Sequence, residues 1–66
     1  MNNKIRVARA EVRMTQQQLA EAAGVSRQTI NAIESGKFVP STVLALKMAK
    51  IIGKSVEEIF QLEDGD

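Results

Sequence analysis

Side chains that can make paired hydrogen bonds are concentrated between residues 27 and 34. Arg27, Gln28 and Asn31 fall at a spacing that places them together on the outer side of a helix. Arginine can donate two hydrogen bonds to a guanine edge, and glutamine or asparagine can pair with adenine through two. Long polar side chains are also the usual covering of a solvated surface. These residue types therefore permit base recognition without requiring it.

A second polar feature is the start of the preceding helix, at Gln16. The free N–H groups and the positive dipole end of a helix N-terminus suit a phosphate group, and the Gln16 amide can reinforce that contact. Lys37 follows the helix that carries Arg27 and suits either a phosphate contact or the neutralisation of the helix C-terminus. Both features favour a polyanionic partner.

The distribution of charge agrees with such a partner better than the net charge of +1 does. Residues 1–50 carry eight lysines and arginines against three glutamates, whereas residues 51–66 carry one lysine against five acidic residues. A basic body suits nucleic acid, and the acidic end would be held away from it. Mixed surface charge also serves solubility, so the distribution alone leaves both interpretations open.

The composition argues against catalysis and against metal binding. The chain has no cysteine, histidine, tyrosine or tryptophan, and no phosphate-binding glycine-rich loop. Histidine and cysteine are among the most frequent catalytic groups and zinc ligands, and without histidine no serine can form a Ser-His pair. We therefore expect no enzymatic activity, metal, cofactor or small-molecule ligand. Because no apolar stretch approaches a membrane span, we expect a soluble cytoplasmic protein with no membrane partner.

The elements that must position the polar residues are short helices separated by turn signals. Thr15, Ser26, Ser41 and Ser55 are predicted N-caps, and Thr15 and Ser55 are each followed three residues later by Gln or Glu, which indicates capping boxes. Glycines stop several of these helices. The apolar spacing predicts five helices, at about 3–12, 16–23, 26–35, 42–52 and 56–60. Residues 60–63 give a weak strand signal, and residues 64–66 are expected to be disordered.

Residues 16–35 form the most informative segment, because a three-residue turn around Gly24 joins two short helices. Helices joined so tightly cross at a steep angle and need a small residue at their closest approach, a place that Ala20 fits. The predicted buried contacts of the pair come from Leu19, Val25, Ile30 and Ile33. The polar face described above would then point away from this core.

The run from Met14 to Lys37, MTQQQLAEAAGVSRQTINAIESGK, closely resembles the Cro and phage-repressor type of helix-turn-helix, also called the XRE family. The resemblance continues through Pro40, helix four and the Val56–Phe60 segment, and so covers nearly the whole chain. Within that family it is most similar to short single-domain repressors such as the cytolysin repressor. The resemblance implies an all-α, five-helix domain spanning residues 1–66, with a minor terminal β-ribbon.

The resemblance also implies roles for individual residues. Arg27, Gln28 and Asn31 would read bases. The residues expected at the DNA backbone are Gln16, Gln17, Ser26, Thr29, Ser35 and Lys37. Arg9 and Glu34 match a family ion pair, which we interpret as a structural brace between helices one and three. Ala32 departs from phage repressors that carry a base-reading glutamine there, so readout should depend more on the three base-reading residues.

The implied activity is sequence-specific binding of double-stranded DNA by a homodimer, with helix 26–35 in the major groove of a near-palindromic operator and repression as the outcome. Ile59, Phe60 and Leu62 are the candidate dimer interface, although helix five could instead simply cap the core. Two alternatives remain open: an antitoxin-like or other protein-interaction module that binds DNA secondarily, and a helix-turn-helix that only dimerises.

Overall fold

Serine and threonine caps mark the starts of four of the five helices in the structure, a computed structural model that describes residues 1–66. The side chains of Thr15, Ser26, Ser41 and Ser55 each accept a hydrogen bond from the backbone N–H three residues later. Both predicted capping boxes are present, with Gln18 and Glu58 bonding back to the backbone of Thr15 and Ser55. Each cap satisfies a helix N–H that would otherwise lack a partner.

Five helices and two very short strands result. The helices are α1 (Ile5–Glu11), α2 (Gln16–Ala23), α3 (Arg27–Glu34), α4 (Thr42–Ile52) and α5 (Val56–Ile59), and the strands are β1 (Asn2–Asn3) and β2 (Phe60–Gln61). The strands pair antiparallel, with Asn2 opposite Gln61 and Asn3 opposite Phe60. The five-helix prediction and the minor terminal β-element are both confirmed.

The core lies between α2, α3 and α4, and α1 and α5 close it. Its largest fully buried side chains are Ile5, Leu19, Ile30, Ile33, Met48 and Ile59. The residues that make up this core are all apolar. Because Leu19, Ile30 and Ile33 occupy one side of α2 and α3, the opposite side of each helix is left for other contacts.

Three boundaries differ from those predicted. Residues 2–3 form a strand instead of the start of α1, and Phe60 leaves α5 with φ −115° and ψ 131° to enter β2. Residues 64–66 are not disordered: the Asp66 carboxylate accepts a 2.7 Å hydrogen bond from the Glu63 N–H and lies 3.1 Å from the N-terminal ammonium. Each difference arises from pairing between the two ends of the chain.

None of the helices is both long enough and apolar enough to cross a bilayer.

Candidate nucleic-acid interface

The turn at Gly24 fixes the angle between α2 and α3. Gly24 has φ +77°, a left-handed conformation that glycine adopts without steric cost. The Val25 N–H returns to the Ala20 carbonyl at 3.0 Å. Ala20 is fully buried, so a larger side chain there would separate the two helices. The turn and the small residue together hold α3 across α2 with its polar face outward.

That outward face carries the three residues predicted to read bases. Arg27, Gln28 and Asn31 are all exposed, and their side chains make no hydrogen bond or ion pair within the chain. Ile30 and Ile33 on the opposite face are buried. The helix thus presents free donors and acceptors on a rigid support, which is the geometry that direct reading of base edges requires.

The residues predicted at the DNA backbone divide into those with free side chains and those whose side chains already have a hydrogen bond within the chain. Lys37 is exposed and has no ion-pair partner within the chain. The hydroxyls of Ser26, Thr29 and Ser35 already have intramolecular bonds, since Ser26 caps α3 and lies 3.0 Å from the Thr29 hydroxyl, and Ser35 donates to the Ala32 carbonyl.

The N-terminus of α2 also remains available for an anion. The backbone N–H groups of Gln16 and Gln17 donate to no acceptor in the chain. The Gln17 side chain is bonded to Glu21 at 3.0 Å and the Gln16 side chain to Glu34 at 3.1 Å. The two backbone groups are therefore the most direct donors at this helix end.

Glu34 is the centre of a charged cluster that joins three helices. Its side chain is only 1% exposed, and Arg9 donates to both carboxylate oxygens, at 2.9 and 3.3 Å. Gln16 donates to the same carboxylate, and the Arg6 guanidinium lies 3.5 Å from it. Arg9 also donates to the Met14 carbonyl at 2.8 Å, which ties α1 to the start of α2. The ion pair expected from the sequence is present, and it has two further members, Arg6 and Gln16, that the sequence did not indicate.

The pKa of Glu34 reflects this environment. Burial opposes ionisation of the carboxyl group, but hydrogen bonds from Arg9 and Gln16 and the charge of Arg9 outweigh it, so the pKa lies below its ordinary value of 4.5. The carboxylate is therefore ionised near neutral pH, and its charge is directed at the arginines of α1 and away from the outer face of α3.

The three residues predicted for a dimer interface lie in different environments. Ile59 is fully buried and Phe60 is 8% exposed, both within the core of this one chain, whereas Leu62 is 82% exposed. Ile59 presents no surface to a partner, which corrects its place in the predicted interface. The reason is that α5 closes the core, the alternative that the sequence left open.

Other apolar side chains are exposed on one side of the molecule. Val39, Val43 and Leu46 are each more than half exposed. A groove of about 290 Å³ lies beside them, with no charged side chain in its lining, which consists of Met1, Val39, Pro40, Thr42, Ala45, Leu46, Val56 and Phe60. We call Val39, Val43 and Leu46 the aliphatic patch.

Comparison with known proteins gives the arrangement a context. A family model described as helix-turn-helix matches residues 5–59. Among curated proteins, an uncharacterised HTH-type transcriptional regulator of Methanocaldococcus jannaschii is 52% identical over 66 residues and covers all of both chains. The uncharacterised HTH-type regulator YgzD of Bacillus subtilis is 45% identical over 64 residues, 97% of each chain.

Solved structures show the same similarity. The clp gene regulator ClgR of Corynebacterium glutamicum matches 82% of this chain with a TM-score of 0.78 and 31% identity, although this chain spans only 57% of that one. The restriction-modification controller protein C.AhdI of Aeromonas hydrophila matches 85% of both chains with a TM-score of 0.78 and 28% identity.

Proposed function

The chain belongs to the XRE-type helix-turn-helix family of DNA-binding transcriptional regulators, and from this premise we propose that it is a repressor that binds a near-palindromic operator as a homodimer. In this proposal residues 1–66 act as one DNA-binding domain and α3 enters the major groove. Its relatives are regulators, a class without enzymatic activity, and we propose none for this chain.

The observation that carries the proposal is the outer face of α3. Arg27, Gln28 and Asn31 are exposed and without partners, and they lie on the first two turns of the helix. A side chain without an internal partner gives up only water when it binds a base edge, so it loses no intramolecular hydrogen bond. We assign these three residues to base reading.

Contacts to the DNA backbone would flank α3 on both sides. We assign the free N–H groups at Gln16 and Gln17 to one phosphate and the ammonium of Lys37, just beyond α3, to another. Ser26, Thr29 and Ser35 lie at the two ends of α3, where their hydroxyls can accept or share a further bond. Phosphate contacts of this kind set the register of the helix in the groove and carry no sequence information themselves.

The homodimer is proposed to form through the aliphatic patch, with the exposed Leu62 as a further candidate contact. The patch begins two residues after Lys37, so it adjoins the proposed DNA surface. No charged side chain lines the groove, and the ammonium of its lining residue Met1 is already paired with Glu63 and Asp66, so the groove can face a copy of itself across a two-fold axis with little opposition of like charges. In such a dimer, the family geometry needs the two α3 helices about 34 Å apart, so that they can enter successive major grooves.

The decisive experiment is a binding selection from random duplex DNA at physiological salt. Enrichment of an inverted repeat, with half-sites about one helical turn apart, would support sequence-specific binding by a dimer. An enriched single half-site would support base recognition and contradict the dimer. Recovery of no motif, with only weak salt-sensitive binding, would contradict the proposal and favour a protein-interaction module.

A further inference from the structure

A second groove lies on the outermost side of α3, next to the residues proposed to read bases. It is a shallow, open depression of about 330 Å³, lined by Ser26, Gln28, Thr29, Ala32 and Phe38. Gln28 and Ala32 are four residues apart and so lie one above the other on the helix. Ile30 and Ile33 mark the buried side of α3, Gln28 lies on the opposite, exposed side, and Ala32 is partly buried one turn further along.

Phe38 forms one wall of the groove although it belongs to the loop after α3. The chain turns back at Gly36, which has φ +80°. The N–H groups of Lys37 and Phe38 then both bond to the Ala32 carbonyl, at 2.9 and 3.2 Å. These bonds hold the start of the loop against the last turn of α3. The Phe38 side chain is nonetheless 49% exposed, so half of its surface has no apolar neighbour in the chain.

The other lining residues make the groove largely apolar, next to the polar side chain of Gln28. Ala32 contributes only a methyl group, which leaves space where a longer side chain would fill it. The Thr29 hydroxyl is turned to the Ser26 hydroxyl, 3.0 Å away, and the Thr29 methyl group adds an apolar surface to the lining. The groove thus offers an aromatic ring and two methyl groups beside the Gln28 amide.

We propose that this groove receives the C5-methyl group of a thymine in the operator, at a base pair next to the one contacted by Gln28. This inference rests on the proposed function, and it extends base reading to Ala32 and Phe38. In the major groove the thymine methyl group is the one apolar feature of a base edge, and alanine, threonine methyl and phenylalanine side chains are suited to contact it. Phe38 is accordingly a specificity-determining residue.

The test uses the duplex enriched from random DNA as the probe, with each thymine replaced in turn by deoxyuridine, which removes only the methyl group. Dissociation constants are measured by fluorescence anisotropy with the unmodified protein. We expect one thymine position in each half-site at which the replacement weakens binding about fourfold, the effect of one buried methyl group. Replacements at other thymines should have little effect.

Variants then assign the methyl contact to the groove. Phe38→Ala should abolish the difference between thymine and deoxyuridine at that position, and Phe38→Leu, which keeps an apolar side chain, should retain most of it. Val7→Ala, which truncates an exposed side chain on α1, is the matched control and should leave the difference unchanged. Circular dichroism melting confirms that each variant is folded.

Two results would overturn the inference while leaving the proposed function intact. One is an enriched motif in which no thymine responds to removal of its methyl group. The other is a methyl-sensitive thymine whose response is the same in Phe38→Ala as in the unmodified protein. Failure to enrich any motif would instead overturn the proposed function, and the inference with it.

Discussion

At the scale of single residues, the side chains of α3 divide by whether they already have a partner. Gln28 is exposed, makes no internal hydrogen bond, and lies on the side of α3 opposite the buried Ile30 and Ile33. Ser26, at the start of the helix, has its hydroxyl bonded to the Thr29 N–H. Residues without an internal partner, such as Gln28, can be replaced without loss of stability, and they are the ones expected to set base preference.

We expect Gln28→Ala to lower the preference for one base pair by about 1–3 kcal/mol, because the variant cannot make a bidentate contact to a base edge. Affinities would be measured for the enriched site and for its three substitutions at each position. Gln61→Ala in β2 is a control of the same type, and it should leave base preference unchanged. A Gln28→Ala protein that discriminates bases as well as the unmodified protein would remove Gln28 from the interface.

Lys37→Ala should weaken binding to all sequences alike, because a phosphate contact carries no sequence information. The slope of log K against log salt should become shallower by about 0.9 for each phosphate that the variant no longer neutralises. Lys54→Ala is the matched control, since Lys54 lies by Glu11 of α1, at 3.8 Å. An unchanged salt slope for Lys37→Ala would show that Lys37 neutralises the end of α3 instead.

The charged cluster shows how far sequence alone can predict a site. The pairing of Arg9 with Glu34 was expected because both positions match a family pattern, and the structure has it. The participation of Arg6 and Gln16 depends on how α1 and α2 meet at Glu34, which local sequence does not specify. Gln16 in particular was predicted from its place at a helix N-terminus, where nothing indicates that its side chain bonds to α3.

At the scale of elements, Glu34 is the point at which α1, α2 and α3 meet. Its pKa is lowered on folding from an ordinary value of 4.5. A group whose folded-state pKa is depressed contributes stability that is fully present above its unfolded pKa and is lost as the pH falls through the folded one. The brace between these three helices should therefore weaken on acidification below pH 4.5.

We expect Glu34→Gln to lower the free energy of unfolding at neutral pH by about 2–3 kcal/mol, since the charge-assisted hydrogen bonds to a buried carboxylate no longer form. The difference from the unmodified protein should shrink as the pH falls below 4.5. Urea unfolding at several pH values measures both effects. Glu57→Gln, on the exposed face of α5, is the control. Parallel loss of stability in the unmodified and Glu34→Gln proteins on acidification would contradict the brace.

Helix starts were the most predictable elements, and strands the least. Each predicted cap is a local signal, a hydroxyl side chain followed by a helical pattern, and all four caps occur. The pairing of β1 with β2 joins Asn2 to Gln61; only the weak alternating signal of residues 60–63 indicated β2, and no local pattern indicated β1. For the same reason the prediction assigned Asn3 to α1 and Phe60 to α5.

At the scale of the whole molecule, the question is which apolar residues of this chain pack in its own core and which contact a partner subunit. Sequence cannot separate these two, because both kinds of surface select the same side chains. Ile59 and Leu62 illustrate this, since both were predicted for the interface and only Leu62 is exposed. The aliphatic patch was not identified from the sequence because the apolar spacing of α4 does not show which of its sides is left exposed, and Val39, in the preceding loop, joins Val43 and Leu46 only in the fold.

We expect Leu46→Asp to shift the protein from dimer to monomer, because a charge at the centre of an apolar interface must be desolvated without a partner. Sedimentation velocity measures the oligomeric state, and operator affinity should fall with it. Leu46 is 56% exposed, so the fold should survive the change. Val7→Asp on α1 is the control and should remain dimeric. A Leu46→Asp protein that still sediments as a dimer would place the interface elsewhere.

The amphipathic character of α3 has a consequence for how such proteins diverge. The core side, with Ile30 and Ile33, and the outer side, with Gln28 and Ala32, share a helix but no packing requirement that both must satisfy. After a gene duplication, the outer residues can therefore be replaced one at a time without unfolding either copy. A new operator preference is then reached through stable intermediates, so one scaffold can give rise to many regulators with separate targets.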